Sequence, residues 1–450
     1  MSKEELKKEV ERLAIQQAKA KENPRVVNEP VKNLVQQVSW RDMRILWYSV
    51  APWIKSGYGV VTNNMVKGLI SRGFPTIIAA YYGIEPGGFL KVGDMVVVPL
   101  EKFNEDKLGF STAIKHYQKF QSDVLIYHTD FWVSKSLADA CPRAYCYTPI
   151  DHEDYPDQYQ DVLRAYKGVA VPSRHAVGEL RKYGVEATYI PHGIDLATYK
   201  PEPRELCRKY FNLNTTDFIM GIVAANNDKE PRKGWDKMFS AVKIFLDQNP
   251  DAKKDFKVFC HTNPVDGRGY NLHQLAKRLN ISEYFVFQDP YMMTLGLPDQ
   301  LLCRIYNCFN VLMNLSKREG FGIPMAEAQA CGIPSIVTKF SAMPERVDNG
   351  KCGWMIKPQG THFSPLNAMT AIPDEFGAAV ALGEAYNSPK KLQQFSKKGI
   401  SYSKQFSWDI VLDKHMLPWL ENISHEIPRL NKGKEQKIAK NITMVEGYGG

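Results

Sequence analysis

The sequence lacks several features that would place it in familiar classes of protein. It has no run of about 18 consecutive apolar residues, the length that a membrane-spanning helix requires. Its opening residues, Met-Ser-Lys-Glu-Glu-Leu-Lys-Lys, carry too much charge for a secretory signal peptide. No Cys-x-x-Cys pair occurs among its 8 cysteines, which lie mostly in apolar surroundings, so we expect buried thiols rather than metal ligands. These absences predict a soluble, cytoplasmic protein.

What is present is the composition of a large globular protein. The chain has 450 residues, of which 44% are hydrophobic and 11% are aromatic. Because a chain of this length is too long for one ordinary core, two domains are expected. The formal net charge of +9 favours an anionic partner, such as a nucleotide, a lipid headgroup or nucleic acid.

Strand-like and helix-like segments alternate in two successive series. The predicted strands of the first series are 44–49, 76–80, 95–98, 123–128, 143–147 and 168–171, and those of the second are 218–223, 257–261, 284–287 and 311–315. Such alternation predicts parallel sheets with helices on both faces. Ligands of such sheets bind outside the carboxyl ends of the strands, so polar residues at these ends are the first candidates for a site.

The most informative stretch joins a strand to a helix through a glycine loop. A short apolar run at 311–315 predicts a buried strand, and the loop at 316–322 contains two glycines. Pro324 suits the first turn of a helix, because its missing N–H would have had no partner there, and Gly332 supplies the stop. This geometry directs backbone N–H groups and the positive end of the helix dipole at one spot, which suits a phosphate.

Two carboxylates bracket this phosphate site. Glu319 precedes the glycines and Glu327 follows eight positions later, so the two cannot share one ligand atom. Carboxylates accept hydrogen bonds from hydroxyl groups. A ligand with hydroxyls at both ends and phosphate between them is a nucleotide sugar. The alternative is that Glu319 offsets nearby cations while Glu327 is a solvated helix residue.

The run from Glu319 to Glu327, Glu-Gly-Phe-Gly-Ile-Pro-Met-Ala-Glu, is followed by Ala-Gln-Ala-Cys-Gly-Ile-Pro. It resembles the signature of the retaining glycosyltransferases of family four, which have the GT-B fold. In that family the first glutamate contacts the hydroxyls of the donor sugar, the loop amides hold the diphosphate, and the second glutamate binds the ribose. The resemblance implies these roles for Glu319, which would also be catalytic, for the amides of Gly320, Phe321 and Gly322, and for Glu327.

The same family holds the donor diphosphate with two cations after the first strand of its second domain. Lys233-Gly234 matches the family's Lys-Gly pair, but the expected Gly-Arg is absent because Ile222 follows Gly221. The resemblance therefore implies a donor-binding and catalytic role for Lys233, with Arg232 as a substitute for the missing arginine. Such a cation would stabilise charge on the departing diphosphate.

A second glycine pair, in Ser56-Gly57-Tyr58-Gly59, ends a loop after the first predicted strand, and a helix is predicted to follow. A lone Gly-x-Gly is equally typical of a tight turn, and Thr62 stands where a dinucleotide fingerprint would have its third glycine. Family-four enzymes carry a similar glycine loop at this point. The resemblance implies donor contacts from Gly57 and Gly59 and an acceptor contact from Tyr58.

Polar side chains follow two other strands of the first series. We expect acceptor contacts from His128 and Asp130 after one strand and from His152 after the next, and a catalytic role for Asp151. Loop or capping roles are the alternative. The run Asp151-His-Glu-Asp contains metal-ligating residue types, but side chains this close on a loop usually diverge, and GT-B enzymes generally need no metal. We therefore expect neither a metal nor a cofactor.

These features together predict an α/β protein of the GT-B fold, with two Rossmann-like domains that face each other across a cleft. We expect a charged extension at 1–40, an N-terminal domain at 41–200, a donor domain at 201–405, a helix that returns to the first domain at 406–428, and a basic flexible tail at 429–450.

The expected activity is transfer of a hexose from a UDP- or GDP-linked sugar, as co-substrate, to a hydroxyl acceptor with retention. A sugar, lipid-linked or small-metabolite acceptor is favoured, and peripheral membrane contact is compatible with the charge. The alternatives are transfer to hydroxymethylated bases of DNA, a phosphorylase or epimerase on the same fold, and a nucleotide-sugar-binding protein without activity.

Overall fold

The computed structural model describes residues 39–103, 105–228 and 230–427. Almost all of the predicted extension at 1–40 and the whole of the predicted tail at 429–450 lie outside the described residues. Among the helices of the described residues, none is long and apolar enough to cross a membrane.

The strands form three sheets in the described part of the chain. They are β1 (Ile45–Ser49), β2 (Thr76–Ala80), β3 (Leu90–Val92), β4 (Met95–Pro99), β5 (Val124–Tyr127), β6 (Ala144–Tyr147), β7 (Gly168–Val171), β8 (Ala187–Tyr189), β9 (Phe218–Val223), β10 (Phe256–His261), β11 (Phe285–Phe287), β12 (Val311–Asn314), β13 (Ser335–Thr338), β14 (Gly353–Ile356), β15 (Gly360–Phe363) and β16 (Met369–Ile372).

Helices connect most of these strands. They are α1 (Gly57–Ser71), α2 (Phe110–Lys119), α3 (Lys135–Ala140), α4 (Asp157–Ala165), α5 (Arg174–Arg181), α6 (Arg204–Tyr210), α7 (Trp235–Gln248), α8 (Leu272–Arg278), α9 (Pro290–Leu295), α10 (Asp299–Asn307), α11 (Ile323–Ala330), α12 (Glu375–Asn387), α13 (Pro389–Ser403), α14 (Trp408–Val411) and α15 (Leu417–Glu426).

Two parallel sheets carry the architecture. The first has eight strands in the order β3-β4-β2-β1-β5-β6-β7-β8, and only β3 runs antiparallel to its neighbour. The second has six strands in the order β11-β10-β9-β12-β13-β14, all parallel. The short antiparallel hairpin β15–β16 stands apart from both. We call the parts that contain the first and second sheets the first half and the second half. The prediction of an α/β protein with two helix-flanked parallel sheets is confirmed.

Buried apolar residues cover both faces of each sheet. The C-terminal helices α14 and α15 pack on the first half, where Val411, Trp419 and Leu420 share a buried cluster with Met43 and Trp47 of that half. All eight cysteines are buried free thiols, as predicted.

The sequence prediction located the long buried strands well and the short ones poorly. Strands β2, β7 and β9 have the predicted limits, and most others differ by one residue. Six strands were not predicted. Strands β3, β8, β15 and β16 are short or partly exposed and bury too few apolar side chains to give a signal. Strands β13 and β14 were missed although they are buried, and each is only 4 residues long.

The prediction that helix α1 begins after Gly59 was wrong. The helix begins at Gly57, and Ser56 caps it by accepting a hydrogen bond from the Gly59 amide at 3.2 Å. Glycine is needed at 59 for a different reason from a turn. A Cβ there would lie 2.0 Å from the carbonyl oxygen of Ile54, so the helix and the preceding loop could not approach so closely.

Gly234 also allows two segments of backbone to meet. Its φ is +66°, and a Cβ would lie 2.1 Å from the carbonyl oxygen of Leu315, the first residue after β12. Gly184 offers a matched comparison, since its φ is +69° and a Cβ there would have nothing within 4 Å.

We expect Gly234→Ala to destabilise the protein more than Gly184→Ala. Both variants place a Cβ in the left-handed region, at a cost of about 1–2 kcal/mol. Only the first also forces backbone apart, which adds about 1–3 kcal/mol. Denaturant unfolding of the two variants measures the difference, and equal losses would contradict the close approach at Leu315.

Candidate active site

The carboxyl ends of the two large sheets meet across a cleft. On one side is the β6 loop (148–156) of the first half, and on the other is the β12 loop (315–322) of the second half. Gly320 lies so close to Pro149 that a Cβ would be 2.3 Å from the proline Cβ. Arg318 Nε is 3.6 Å from Asp151 Oδ2. The predicted donor and acceptor residues therefore face a common space.

The β12 loop has the predicted strand, loop and helix geometry. Gly322 has a φ of +90° at the N-cap of α11, and Pro324 occupies the first turn of that helix. No hydrogen bond between described residues uses the backbone amide of Gly320, Phe321 or Gly322 as a donor. These amides and the helix N-terminus therefore present donors to an anion in the cleft.

Glu319 is buried and paired with two cations. Its Oε1 atom lies 2.5 Å from Lys233 Nζ, and its Oε2 atom lies 3.7 Å from Arg232 Nη1. Ser316 donates its hydroxyl hydrogen to Glu319 Oε1 at 2.7 Å. Burial alone would raise the pKa of Glu319, but Lys233 and Arg232 outweigh it and hold that pKa below its ordinary value. The carboxylate is thus ionised and fixed in direction.

For Lys233, burial decides the direction of the pKa shift. Burial and the adjacent Arg232 lower the pKa of Lys233, while Glu319 partly restores it. Arg232 also pairs with Asp228, at 3.2 Å, and its pKa is raised because the charges of Glu319, Asp228, Asp151 and Asp130 outweigh its burial. The charge of Arg232 thus interacts with carboxylates on both sides of the cleft. Lys233 forms an ion pair with Glu319.

Glu327 is buried in a different environment. Tyr306 on α10 donates its hydroxyl hydrogen to Glu327 Oε2 at 2.8 Å. Burial, with a smaller contribution from Asp299, raises the pKa of Glu327 to about 8 despite this hydrogen bond. The two glutamates of the motif thus differ, since Glu319 is an ion-paired carboxylate and Glu327 is a carboxyl group that titrates near neutral pH.

The first half brings Tyr58 and Asp130 together. The Tyr58 hydroxyl donates to Asp130 Oδ1 at 2.5 Å. Burial raises the pKa of Asp130 to about 6, although this hydrogen bond opposes the shift. His128 is fully buried behind Tyr58, with 5.3 Å between ring centroids, and its Nδ1 donates to the Tyr147 carbonyl at 2.9 Å. His128, from which an acceptor contact was expected, thus has no exposed surface and packs against Tyr58.

Asp151 and His152 form a pair in the β6 loop. His152 Nδ1 donates to Asp151 Oδ1 at 2.6 Å. Burial opposes ionisation of Asp151, but His152, Arg318 and Arg232 outweigh it and lower its pKa. Glu153 and Asp154 turn away toward His175 and Lys182, at 4.0 and 3.9 Å. Within the described residues, no group of His, Cys, Asp or Glu side chains could hold a metal ion.

Several partners of the motif residues have no local sequence signal. They are Ser316, which fixes Glu319; Tyr306, which fixes Glu327; Glu230, which pairs with Arg318 through two contacts of 3.1 Å; and Arg346, whose guanidinium lies 3.9 Å from the Phe321 ring centroid. Each depends on contact between segments that are distant in the sequence or on a single hydroxyl, which no spacing rule predicts.

A further polar edge lies at the carboxyl ends of β10 and β11. His261 and Gln288 lie within hydrogen-bonding reach of each other, and the buried Thr262 Oγ1 has no hydrogen-bond partner among the described residues. Burial lowers the pKa of His261 to about 4, although the hydrogen bond with Gln288 opposes the shift, so its ring is neutral. Neutral donors and acceptors of this kind suit the edge of a nucleobase.

Part of the second half matches a known protein family. Residues 208–364 match the family model described as "Glycosyl transferases group 1". A D-inositol 3-phosphate glycosyltransferase from Gordonia bronchialis is 25% identical over 293 residues, which cover 64% of this chain and 59% of that protein. The chain thus spans under two thirds of that relative's length.

Two solved structures resemble the fold. Sucrose-phosphate synthase from Thermosynechococcus elongatus has a TM-score of 0.69 at 16% sequence identity. The match covers 85% of this chain and 100% of the synthase chain. HepE from Anabaena, in complex with UDP-glucose, has a TM-score of 0.62 at 15% identity, covering 84% and 100%. These likenesses confirm the predicted GT-B fold, and the matched family model supports the predicted glycosyltransferase class.

We expect the stability of the protein to depend on the protonation of Glu327. The pKa of its carboxyl is about 8 in the folded chain, against about 4.3 when exposed to solvent. The folded state thus holds this proton more tightly, so its stabilising effect is complete below about pH 4 and is lost as pH rises through about 8. Glu327→Gln removes the titration and keeps an acceptor for Tyr306.

Unfolding free energies of both proteins between about pH 5 and 8 test this expectation. The wild type should lose stability relative to Glu327→Gln by up to about 1.4 kcal/mol per pH unit. A difference that stays constant over this range would show that Glu327 is already ionised.

Proposed function

We propose that this protein is a retaining glycosyltransferase that transfers a hexose from a nucleoside-diphosphate sugar to a hydroxyl acceptor. The observation that carries the proposal is the ionised Glu319, held by Lys233 and Arg232 beside a helix N-terminus whose loop amides have no acceptor among the described residues. One place thus combines donors for a diphosphate with a carboxylate for a sugar.

The donor would lie along the second half of the cleft. Glu327 would accept hydrogen bonds from the ribose hydroxyls, the amides of Gly320, Phe321 and Gly322 would hold the diphosphate, and Glu319 would contact the sugar. The polar edge of His261, Thr262 and Gln288 would meet the base. The likeness to a structure that contains UDP-glucose supports a UDP-linked donor.

Transfer would break the bond between the sugar C1 atom and the diphosphate oxygen and form a bond from C1 to the acceptor oxygen on the same face. The acceptor proton would pass to the departing diphosphate oxygen. Lys233, Arg232 and the loop amides would stabilise the charge that grows on the diphosphate. Glu319 would stabilise the positive charge that develops on the sugar ring, as carboxylates do in glycoside hydrolysis.

The acceptor would bind against the first half, beside Tyr58, Asp130, Asp151 and His152. Their hydroxyl, carboxylate and imidazole groups suit a hydroxylated molecule. The name of the relative from Gordonia bronchialis supports a small phosphorylated polyol as the acceptor class. Its phosphate would fit the positive net charge of the chain.

The test is release of nucleoside diphosphate from UDP-glucose or GDP-mannose with each of several acceptors. D-inositol 3-phosphate, hydroxymethylated duplex DNA, inorganic phosphate and a reaction without acceptor form the panel. Release that requires D-inositol 3-phosphate or another small polyol supports the proposal. Release only with inorganic phosphate would indicate a phosphorylase, and binding of donors without any release would indicate a binding protein.

We expect Lys233→Met to impair both donor binding and turnover. A cation beside the diphosphate acts in the ground state and in the transition state, so nucleoside-diphosphate affinity should fall about tenfold and kcat about a hundredfold. Removing the cation also leaves the buried Glu319 with a more distant ion-pair partner, Arg232, at 3.7 Å.

Lys237→Met is the matched control, because Lys237 lies on the same segment but pairs with Glu375 at 2.7 Å. Titration calorimetry with UDP and steady-state rates compare the two variants. If Lys233→Met keeps normal rates and Arg232→Met loses activity, the contact with the diphosphate is made by Arg232 and not by Lys233.

A further inference from the structure

The β15–β16 hairpin leaves the second half and docks on the first. Its strands pair antiparallel, with Phe363 opposite Met369 and Thr361 opposite Ala371. Ala368, at the turn, is fully buried in the core cluster of the first half that includes Phe131. The hairpin is therefore anchored in both halves of the molecule.

One edge of strand β16 forms hydrogen bonds to both sides of the cleft. Met369 donates its amide hydrogen to the Glu153 carbonyl at 2.7 Å, and Glu153 donates back to the Met369 carbonyl at 3.1 Å. Ala371 donates its amide hydrogen to the Lys317 carbonyl at 3.1 Å. Residues two apart on a strand direct their backbone groups to the same edge. A single edge thus joins the β6 loop to the β12 loop.

These bonds lie close to the proposed reacting groups. Glu153 is two residues after Asp151, and Lys317 is two residues before Glu319. The buried hydroxyl of Thr370 also donates to the Lys317 carbonyl, at 3.2 Å. The chain segments that carry Asp151 and Glu319 are therefore tied to adjacent positions of one short strand.

We propose that Met369 and Ala371 are positioning residues for sugar transfer, because the outer edge of β16 fixes the β6 loop at a set distance from the β12 loop. The inference rests on the proposed glycosyltransferase function. Neither residue touches a reacting atom. Transfer to an acceptor requires both substrates at bonding distance, and small displacements are costly for such a reaction. Water, which needs no positioning by the first half, would then compete better for the donor.

Met369→Pro tests the bond to the first half. Proline removes the amide hydrogen that points to Glu153, because a proline nitrogen carries no hydrogen. Thr361→Pro is the matched control, since it makes the same change on the opposite edge of the hairpin, opposite Ala371. Thr370→Val, with Thr370→Ser as its conservative partner, is a second and gentler pair that tests the bond to Lys317.

The first measurement is the ratio of UDP-glucose hydrolysis to transfer onto D-inositol 3-phosphate. Met369→Pro should raise this ratio about fivefold, the effect of one lost hydrogen bond, while UDP affinity stays unchanged. Thr370→Val should act in the same direction and Thr370→Ser should not. A ratio in Met369→Pro equal to that in Thr361→Pro would overturn the proposal, because the hairpin would then serve stability alone.

The second measurement does not require activity. Hydrogen exchange of the amides at 151–156 should be about fivefold faster in Met369→Pro than in Thr361→Pro, with peptides outside the two loops unchanged. If the wild type transfers no sugar from UDP-glucose or GDP-mannose, the proposed function fails, and this exchange difference still decides whether the hairpin positions the loop. Equal exchange in both variants would overturn it.

Discussion

The contact between Glu319 and the cations Lys233 and Arg232 is the interaction on which the cleft depends. The residues come from loops that follow β12 and β9, which are neighbouring strands of the second sheet. A buried carboxylate without a partner would cost several kcal/mol, so the loops are held where the charges meet. Gly234 permits this approach, because any Cβ there would strike Leu315, the first residue after β12. The same contact leaves a negative group and two positive groups fixed at one place in the cleft.

Burial, and not a neighbouring charge, sets the direction of the pKa shift of the second glutamate of the motif. Glu327 lies among Tyr306 and other groups of α10, and its pKa of about 8 contrasts with the lowered pKa of Glu319. Functional sites often contain two carboxyl groups whose surroundings shift their pKa values in opposite directions. The first half adds another such pair, in which the pKa of Asp130 is raised and that of Asp151 is lowered.

The sequence predicted those parts of the site that are local in the chain. The strand, glycine loop and helix around Glu319 follow from an apolar run, two glycines and a proline within one short segment. The pairing of Lys233 with Glu319 joins residues 86 positions apart, and only the family resemblance brought them together. The hairpin β15–β16 gave no signal, because its anchoring depends on contacts with both halves. The start of α1 was misplaced because Gly59 permits close packing rather than a turn.

The configuration of the product tests the account most directly. UDP-α-glucose and D-inositol 3-phosphate are incubated with the protein, and the anomeric proton of the new glycoside is followed by NMR from the first turnovers. The account predicts an α-linked product, since transfer occurs on the face that the diphosphate leaves, with Glu319 beside the ring. A β-linked product would contradict it, as would complete consumption of the donor by water with no glycoside formed.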